Sequence, residues 1–345
     1  MAHDKRIAIL SPVAWRTPPR QYGAWETVAS NTAEGLVARG WDVTLFATED
    51  SVTRARLHAV IERGYEEDRS VDPKVAEYLH ISEAFEHADE FDLIHSHYDF
   101  MALSYSRLVQ TPVVTTIHGF SSPQILPVYR KYRDGYFVSI SDSDRHPDLE
   151  YVATVYNGID SSLYPLAERG GEDLVFLGRI HPDKGVHLAI ETARRSGRRL
   201  VIAGIVQDEA YFRREVEPYL DDEAISYVGP VDVAGKNALF ARAAAVLHLN
   251  TIPERFGLVL AEANAAGVPV IAMDLGSCRE VIANGETGFL VRDVAGAATA
   301  VERLGEIDRA ACRRRVEERF SIETMVRGYE AVYEQIFERE SHKPR

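Results

Sequence analysis

The sequence predicts an α/β protein made of two parallel-sheet domains, and three observations support this. Short aliphatic runs alternate with helical patterns along the chain, as in repeated βαβ units. A polar stretch without periodicity, residues 168–173, interrupts this alternation. The length of 345 residues suits two domains of roughly 160 residues better than one. We therefore predict two Rossmann-like domains, residues 1–165 and 166–321, with a cleft between them.

The predicted elements follow in order. In the first domain the strands are at residues 6–10, 42–47, 93–95, 113–117, 136–140 and 154–156. A helix at residues 26–39 is followed by Gly40, a residue favoured just after a helix. In the second domain the strands are at residues 174–177, 200–203, 225–228, 245–249 and 268–272. A last helical pattern, residues 322–339, is expected to pack back onto the first domain.

Charge and composition argue against several classes of partner and location. The net charge of −14 argues against a nucleic-acid partner and against binding to an anionic membrane surface. No apolar run reaches the roughly 20 residues needed to span a bilayer, and the first strand is too short for a signal peptide. The two cysteines, Cys278 and Cys312, predict no disulfide framework. A cytoplasmic location without peripheral membrane contact is expected.

The most informative segment is the Glu-x7-Glu element from Glu254 to Glu262, which follows a strand and enters a helix. Free N–H groups at the start of that helix would attract an anion. A carboxylate can accept hydrogen bonds from two neighbouring hydroxyls, so the two glutamates suit a hydroxyl-rich ligand. An exposed amphipathic helix with two solvated glutamates is the alternative.

A second segment places two cations in one loop after the first strand of the second domain. Arg179 and Lys184 lie five residues apart there. A departing diphosphate gains negative charge, which a bidentate guanidinium and an ammonium group can stabilise. A solvated basic loop is the alternative.

Together these motifs resemble the retaining glycosyltransferases of family 4, which have the GT-B fold of two Rossmann-like domains facing each other across a cleft. The matching segments run in order along nearly the whole chain, and the Glu-x7-Glu element is the most specific. They are residues 21–26, 93–97, 113–119, 139–141, 155–160, 178–179, 184–185 and 254–262.

The resemblance implies a metal-independent transfer of a hexose-type sugar from a nucleotide-diphosphate donor to a hydroxyl acceptor. Family habit favours a UDP-sugar, with a GDP-sugar second. In a front-face substitution the leaving diphosphate would help to deprotonate the acceptor, so neither a side-chain nucleophile nor a cofactor is expected. Arg179 and Lys184 would bind the diphosphate together with three backbone amides. These amides belong to Phe256, Gly257 and Leu258.

The resemblance also assigns contacts to the rest of the donor. Glu262 would hold the ribose hydroxyls, and Glu254 would contact hydroxyls of the transferred sugar. His118 would lie near that sugar, and the loop at Gly23 would close over the phosphates. The catalytic set predicted in this way is His118, Arg179, Lys184 and Glu254.

Residues for the acceptor are predicted from the first domain. The first loop reads Gly23-Ala24-Trp25, where the family commonly has two glycines. Trp25 would narrow the acceptor side or stack on a ring, and the alternative is that it packs the first helix. His97 and Asp99 follow a strand and favour an acceptor-lining or structural role over a metal site. Arg130 could bind an acidic acceptor, although a solvated helix face is the alternative. Lone His248 is interpreted as a core residue.

Other classes of protein were weighed against this interpretation. A nicotinamide dehydrogenase would have a Gly-x-Gly-x-x-Gly loop after its first strand, but residues 11–16 read Ser-Pro-Val-Ala-Trp-Arg. A non-catalytic nucleotide-sugar sensor, or an epimerase or phosphorylase of the same fold, stays open as an alternative.

Overall fold

A computed structural model describes residues 4–120, 122–221 and 223–342, which form two compact units. Unit 1 comprises the described residues up to Gly158 and those from Ile322 onward, and unit 2 is Ile159–Ser321. The chain changes unit at Gly158–Ile159 rather than at residue 165. Ile159 forms a parallel bridge with Ser321, the last residue of unit 2, and this pairing ties it to that unit.

Unit 1 contains a parallel sheet of seven strands in the order β3-β2-β1-β4-β5-β6-β7. The strands are β1 (Arg6–Leu10), β2 (Asp42–Phe46), β3 (Arg56–His58), β4 (Leu93–Ser96), β5 (Val113–Ile117), β6 (Tyr136–Ser139) and β7 (Ala153–Thr154). The strand order reverses between β1 and β4. In such sheets ligands bind beyond the carboxyl ends of the strands at this switch point.

Unit 2 contains a parallel sheet of six strands in the order β10-β9-β8-β11-β12-β13. The strands are β8 (Asp173–Leu177), β9 (Leu200–Ala203), β10 (Ile225–Tyr227), β11 (Ala243–His248), β12 (Val270–Met273) and β13 (Gly288–Val291). Every residue of β9 and β11 is buried, because both faces of a parallel sheet are covered. The switch point of this sheet lies between β8 and β11.

Eleven α-helices surround the two sheets in the described part of the chain. They are α1 (Ala24–Ala38), α2 (Pro73–Glu86), α3 (Leu126–Lys131), α4 (Val186–Ser196), α5 (Glu209–Glu215), α6 (Val233–Arg242), α7 (Leu258–Ala265), α8 (Cys278–Val281), α9 (Val294–Glu302), α10 (Arg309–Arg319) and α11 (Ile322–Ser341). Helix α11 belongs to unit 1. It buries Met325, Tyr329, Val332 and Ile336 there, at the spacing of one helical face.

Candidate functional site

The two predicted donor segments meet at the switch point of the unit 2 sheet. Arg179 and Lys184 follow β8, and Glu254 follows β11, the neighbouring strand. Gly185 allows this approach. Its φ is +68°, and a Cβ atom there would lie 1.9 Å from the carbonyl oxygen of Leu249 at the end of β11. A larger residue at 185 would therefore require this loop or the backbone at Leu249 to shift.

Glu254 is the most densely bonded carboxylate of this site. Its Oε2 accepts hydrogen bonds from Lys184 Nζ at 2.7 Å, Asn250 Nδ2 at 2.7 Å and His248 Nε2 at 2.8 Å. Its Oε1 accepts one from the backbone N–H of Arg255 at 3.0 Å. Burial alone would raise the pKa of Glu254, but the hydrogen bond from His248 and the charge of Lys184 hold that pKa well below its usual range. Glu254 is therefore ionised and fixed in orientation.

Two of these partners were not predicted as site residues. His248, interpreted from the sequence as a core residue, is indeed buried, but it is also bonded to Glu254. His248 and Asn250 are two residues apart where β11 ends, so they point the same way. Polar residues at this spacing before an acidic residue are the signal in the sequence that could have identified them.

The second glutamate of the motif has its own lysine. Both carboxylate oxygens of Glu262, in α7, accept from Lys236 Nζ in α6, at 2.7 and 2.8 Å. Tyr164 lies close to this carboxylate, and its pKa is raised by burial and by the negative charge of Glu262. Glu262 is only 6% exposed, so an unpaired charge would be costly there. Sequence reasoning did not identify Lys236, because the two residues are distant in the chain.

The remaining donor residues lie at the start of α7 and in the loop after β8. Gly257 is the N-cap of α7 with φ of 78°, and no side chain of the described residues caps this helix end. The first N–H groups of the helix are therefore without a side-chain acceptor, which suits a phosphate oxygen. Phe256 is buried and packs edge-on against Phe320, with ring centroids 5.7 Å apart. Half-buried Arg179 donates a hydrogen bond from Nη1 to Gln207 Oε1.

In unit 1 the corresponding edge of the sheet carries histidines instead of ion pairs. His97 Nδ1 and His118 Nε2 are 3.0 Å apart, after β4 and β5. His95 contacts the Tyr333 hydroxyl through Nδ1 and the Thr116 hydroxyl through Nε2, both at 2.7 Å. Burial lowers the pKa values of His95 and His118 to about 3 and holds the pKa of His97 well below its usual range. All three rings are therefore neutral at neutral pH.

The hydrogen bond between His97 and His118 defines their tautomers. Within the described part of the chain, the buried Nε2 atom of His97 has no hydrogen-bond partner. A buried N–H without an acceptor costs more than a buried lone pair, so the proton of His97 belongs on Nδ1. It is then donated to His118 Nε2, and His118 carries its own proton on Nδ1. His97 thus sets the tautomer of His118.

Trp25 lies beside these histidines, two residues after Gly23. The Trp25 indole stacks on the His118 ring with centroids 5.5 Å apart and an interplanar angle of 21°. Gly23 is the N-cap of α1, where Trp25 occupies the second helical position. The ring that Trp25 stacks on is therefore His118, and because Trp25 is half-buried its packing role is substantial.

The other two acceptor residues predicted from the sequence have partners inside unit 1. Asp99 Oδ1 accepts from the Tyr129 hydroxyl at 2.6 Å. Arg130 Nε donates to Asp148 Oδ2 at 2.9 Å on the surface. These contacts account for both side chains structurally, so their assignment to an acceptor stays a prediction.

Comparison with known proteins supports the family. The family model described as Glycosyltransferase Family 4 matches residues 25–163, and that described as Glycosyl transferases group 1 matches residues 166–318. The glycogen synthase of Mycobacterium tuberculosis is 33% identical over 261 residues. That alignment covers 65% of this chain and 62% of the relative, so it spans less than two thirds of the relative's length.

Solved structures share the fold. AviGT4, a glycosyltransferase involved in avilamycin A biosynthesis, aligns with a TM-score of 0.71 at 22% identity, over 96% of this chain and 97% of its own. Anabaena HepE, solved in complex with UDP and glucose, aligns with a TM-score of 0.72 at 16% identity, over 96% and 100% of the two chains. These matches confirm the GT-B fold class predicted from the sequence.

Across residues 4–120, 122–221 and 223–342, the helices lack either the length or the apolar character that crossing a bilayer requires.

The two family models lie side by side and together cover most of the chain, and their order matches that of units 1 and 2. This chain belongs to the family 4 glycosyltransferases.

Proposed function

We propose that this protein is a retaining glycosyltransferase that moves a hexose-type sugar from a nucleotide-diphosphate donor to a hydroxyl acceptor. The observation that carries the proposal is the pair of lysine–glutamate contacts in unit 2, Lys184 with Glu254 and Lys236 with Glu262. Each glutamate is oriented by an ammonium group close to a helix start that suits phosphate. This arrangement presents oriented carboxylates for hydroxyl groups and positive charge for a diphosphate.

Lys184 and Arg179 would stabilise the leaving group. As the bond between the anomeric carbon and the phosphate oxygen breaks, negative charge grows on the diphosphate. One N–H of Lys184 is used by Glu254. An ammonium group has three N–H donors, so two can still reach phosphate oxygens. With two cations and the amides of α7 available, the transfer would need no metal ion.

Glu254 would orient the sugar. Three donors contact its Oε2, whereas its Oε1 accepts only the Arg255 N–H among the hydrogen bonds found for it. Because Oε1 accepts fewer hydrogen bonds than Oε2, it can accept a further one from a sugar hydroxyl. The acceptor oxygen would attack on the face from which the diphosphate leaves, and the diphosphate would take the proton of the acceptor. The anomeric configuration is then retained.

Glu262 would bind the ribose. The proposed base preference follows the relatives: HepE was solved with UDP and glucose, which favours a UDP-sugar, with a GDP-sugar second. His118 and the loop at Gly23 are proposed to contact the sugar and the phosphates as the family resemblance implies.

The first test is a thermal-shift panel with UDP, GDP, ADP, TDP and their sugars, with and without EDTA. A ligand at a hundredfold excess over its Kd stabilises the folded protein by about 2.7 kcal/mol, which raises Tm visibly. We expect one base to stand out and its shift to persist in EDTA. If no nucleotide raises Tm, the donor site proposed for Arg179, Lys184 and Glu262 is wrong.

The second test separates an enzyme from a sensor. The preferred donor is incubated with the protein and release of the nucleoside diphosphate is followed, first into water and then into a panel of hydroxyl acceptors. Nuclear magnetic resonance of the earliest product reports its anomeric configuration, and retention is expected. Tight donor binding with no release under any condition would favour the sensor.

A further inference from the structure

We propose that unit 1 contains a zinc site, formed by His58, Glu83 and His87, at the outer edge of its sheet. His58 is the last residue of β3, the strand at one end of the sheet order. Glu83 lies in the last turn of α2, and His87 is the residue that ends this helix. One ligand atom from each residue lies within 4.8 Å of the others.

The three side chains converge on a single point. His58 Nε2 is 2.8 Å from Glu83 Oε1, and His87 Nε2 is 3.2 Å from the same oxygen. Around a tetrahedral zinc ion with bonds of about 2.0–2.1 Å, ligand atoms are about 3.4 Å apart. The observed separations are slightly shorter, so a modest rotation of the Glu83 carboxylate would admit the ion. The ion would replace the two Nε2 hydrogens that the carboxylate now accepts.

The imidazole rings are held in place from outside the cluster. The other nitrogen of His87, Nδ1, is 2.7 Å from Glu90 Oε1. A carboxylate on the far nitrogen of a ligating histidine is the usual second contact in zinc sites, because it selects the tautomer and makes the ring a better donor. The His58 ring stacks on buried Phe46, with centroids 4.7 Å apart. Both rings are therefore oriented before any ion binds.

The ligand set selects the metal. Two imidazoles and one carboxylate suit zinc, whereas magnesium and calcium prefer oxygen ligands alone. The side chains of His58, Glu83 and His87 are 32%, 26% and 38% exposed, so an ion could enter from solvent and a water could complete its coordination. Such an ion would join the three-residue strand β3 to α2, and so would stabilise the sheet edge.

The test is calorimetric titration of the untagged full chain with zinc chloride, after treatment with EDTA and removal of the chelator. We expect one equivalent to bind with a saturable isotherm. His58→Ala and His87→Ala should each weaken binding at least tenfold, because each removes a ligand. Glu90→Gln should weaken binding by about tenfold, and less than either alanine variant, since it removes only the contact that orients His87. Cobalt should give the visible absorption of a four-coordinate ion.

Two controls test whether zinc binds to other exposed histidines and whether each variant folds. His342→Ala removes an exposed histidine on α11's C-terminal side and should leave the isotherm unchanged. Far-ultraviolet circular dichroism must show that each variant is folded, and Glu90→Gln alters an exposed side chain, so it should fold normally. Failure of the wild type to bind zinc saturably, or wild-type affinity in both folded alanine variants, would overturn the proposal.

Discussion

The polar side chains at the carboxyl ends of the two sheets differ in charge. In unit 1 the polar side chains at this edge are neutral histidines, and their hydrogen bonds link them to one another and to hydroxyl groups. In unit 2 they are glutamates, each in contact with a lysine. The two units share a strand order up to the sixth strand, so the difference comes from side chains and not from topology.

This difference indicates a division of work. In the proposed reaction, a group that loses a diphosphate needs positive charge and fixed acceptors, which unit 2 would provide. In the same proposal, a neutral hydroxyl acceptor needs hydrogen bonds without strong fields, which the imidazoles of unit 1 would provide. The buried histidines are costly to protonate, whereas the paired glutamates of unit 2 are costly to leave without their partners. We therefore expect protonation to destabilise unit 1, and loss of one partner of an ion pair to perturb unit 2.

The largest effect is expected from the cations of unit 2. Lys184→Ala and Arg179→Ala should each lower kcat by roughly 10²–10³, the size found when one partner of a transition-state charge is removed. Steady-state release of the nucleoside diphosphate measures this. Arg213→Ala, on the exposed face of α5, is the matched control and should leave kcat unchanged. A kcat within about twofold of wild type for Lys184→Ala would remove the leaving-group assignment.

Acid should separate the two units. Four buried histidines of unit 1 have lowered pKa values, so the stability they contribute is complete above the unfolded value of 6.5 and is lost as pH falls toward their folded values. Glu26 has the opposite effect on stability. Burial raises its pKa to about 7, so the folded protein takes up this proton as pH falls below 7, which offsets part of the loss from the histidines. We expect the free energy of unfolding of unit 1 to fall by about 2–4 kcal/mol between pH 7.0 and 5.5.

Tryptophan fluorescence reports on unit 1 alone. The three tryptophans, Trp15, Trp25 and Trp41, all lie in unit 1. The lowered pKa of Glu254 in unit 2 means that its contribution is complete above 4.5 and is lost only as pH falls further. In urea, tryptophan fluorescence should therefore change at lower denaturant at pH 5.5 than at 7.0, while part of the circular dichroism change stays later. An unchanged fluorescence midpoint would contradict the prediction.

A smaller effect is expected at the ribose contact. Glu262→Ala should weaken UDP binding by about 1–3 kcal/mol, the range for a lost hydrogen bond to a charged group. Lys236→Met should weaken it less, because Glu262 remains but is no longer held in one orientation. Calorimetry with UDP and with 2′,3′-dideoxy-UDP measures both variants, and the dideoxy compound should bind wild type and Glu262→Ala alike. Equal affinities of wild type and Glu262→Ala for UDP would exclude the ribose role.

The sequence predicted the order of the elements well and the contacts between them poorly. Strand β1 has the predicted bounds, because its aliphatic run is bounded clearly by polar residues. Strand β3 was missed, since three half-exposed residues carry no pattern. The pairing of Lys236 with Glu262 was also missed, because it depends on how α6 and α7 pack. By contrast, the contact of His97 with His118 could have been derived, since both follow neighbouring parallel strands.

The smallest expected effect concerns Trp25, for which the sequence left packing and ring stacking as alternatives. An aromatic stack contributes about 0.5–1.5 kcal/mol beyond the area it buries, so Trp25→Ala should destabilise unit 1 by at least that amount in urea unfolding followed by circular dichroism. Trp25→Phe preserves an aromatic face over His118 and should recover most of the loss. If Trp25 serves only packing, Trp25→Phe should also have wild-type acceptor KM. A raised acceptor KM in a Trp25→Phe protein of normal stability would instead assign the indole to the acceptor, and would place recognition on the neutral edge of unit 1.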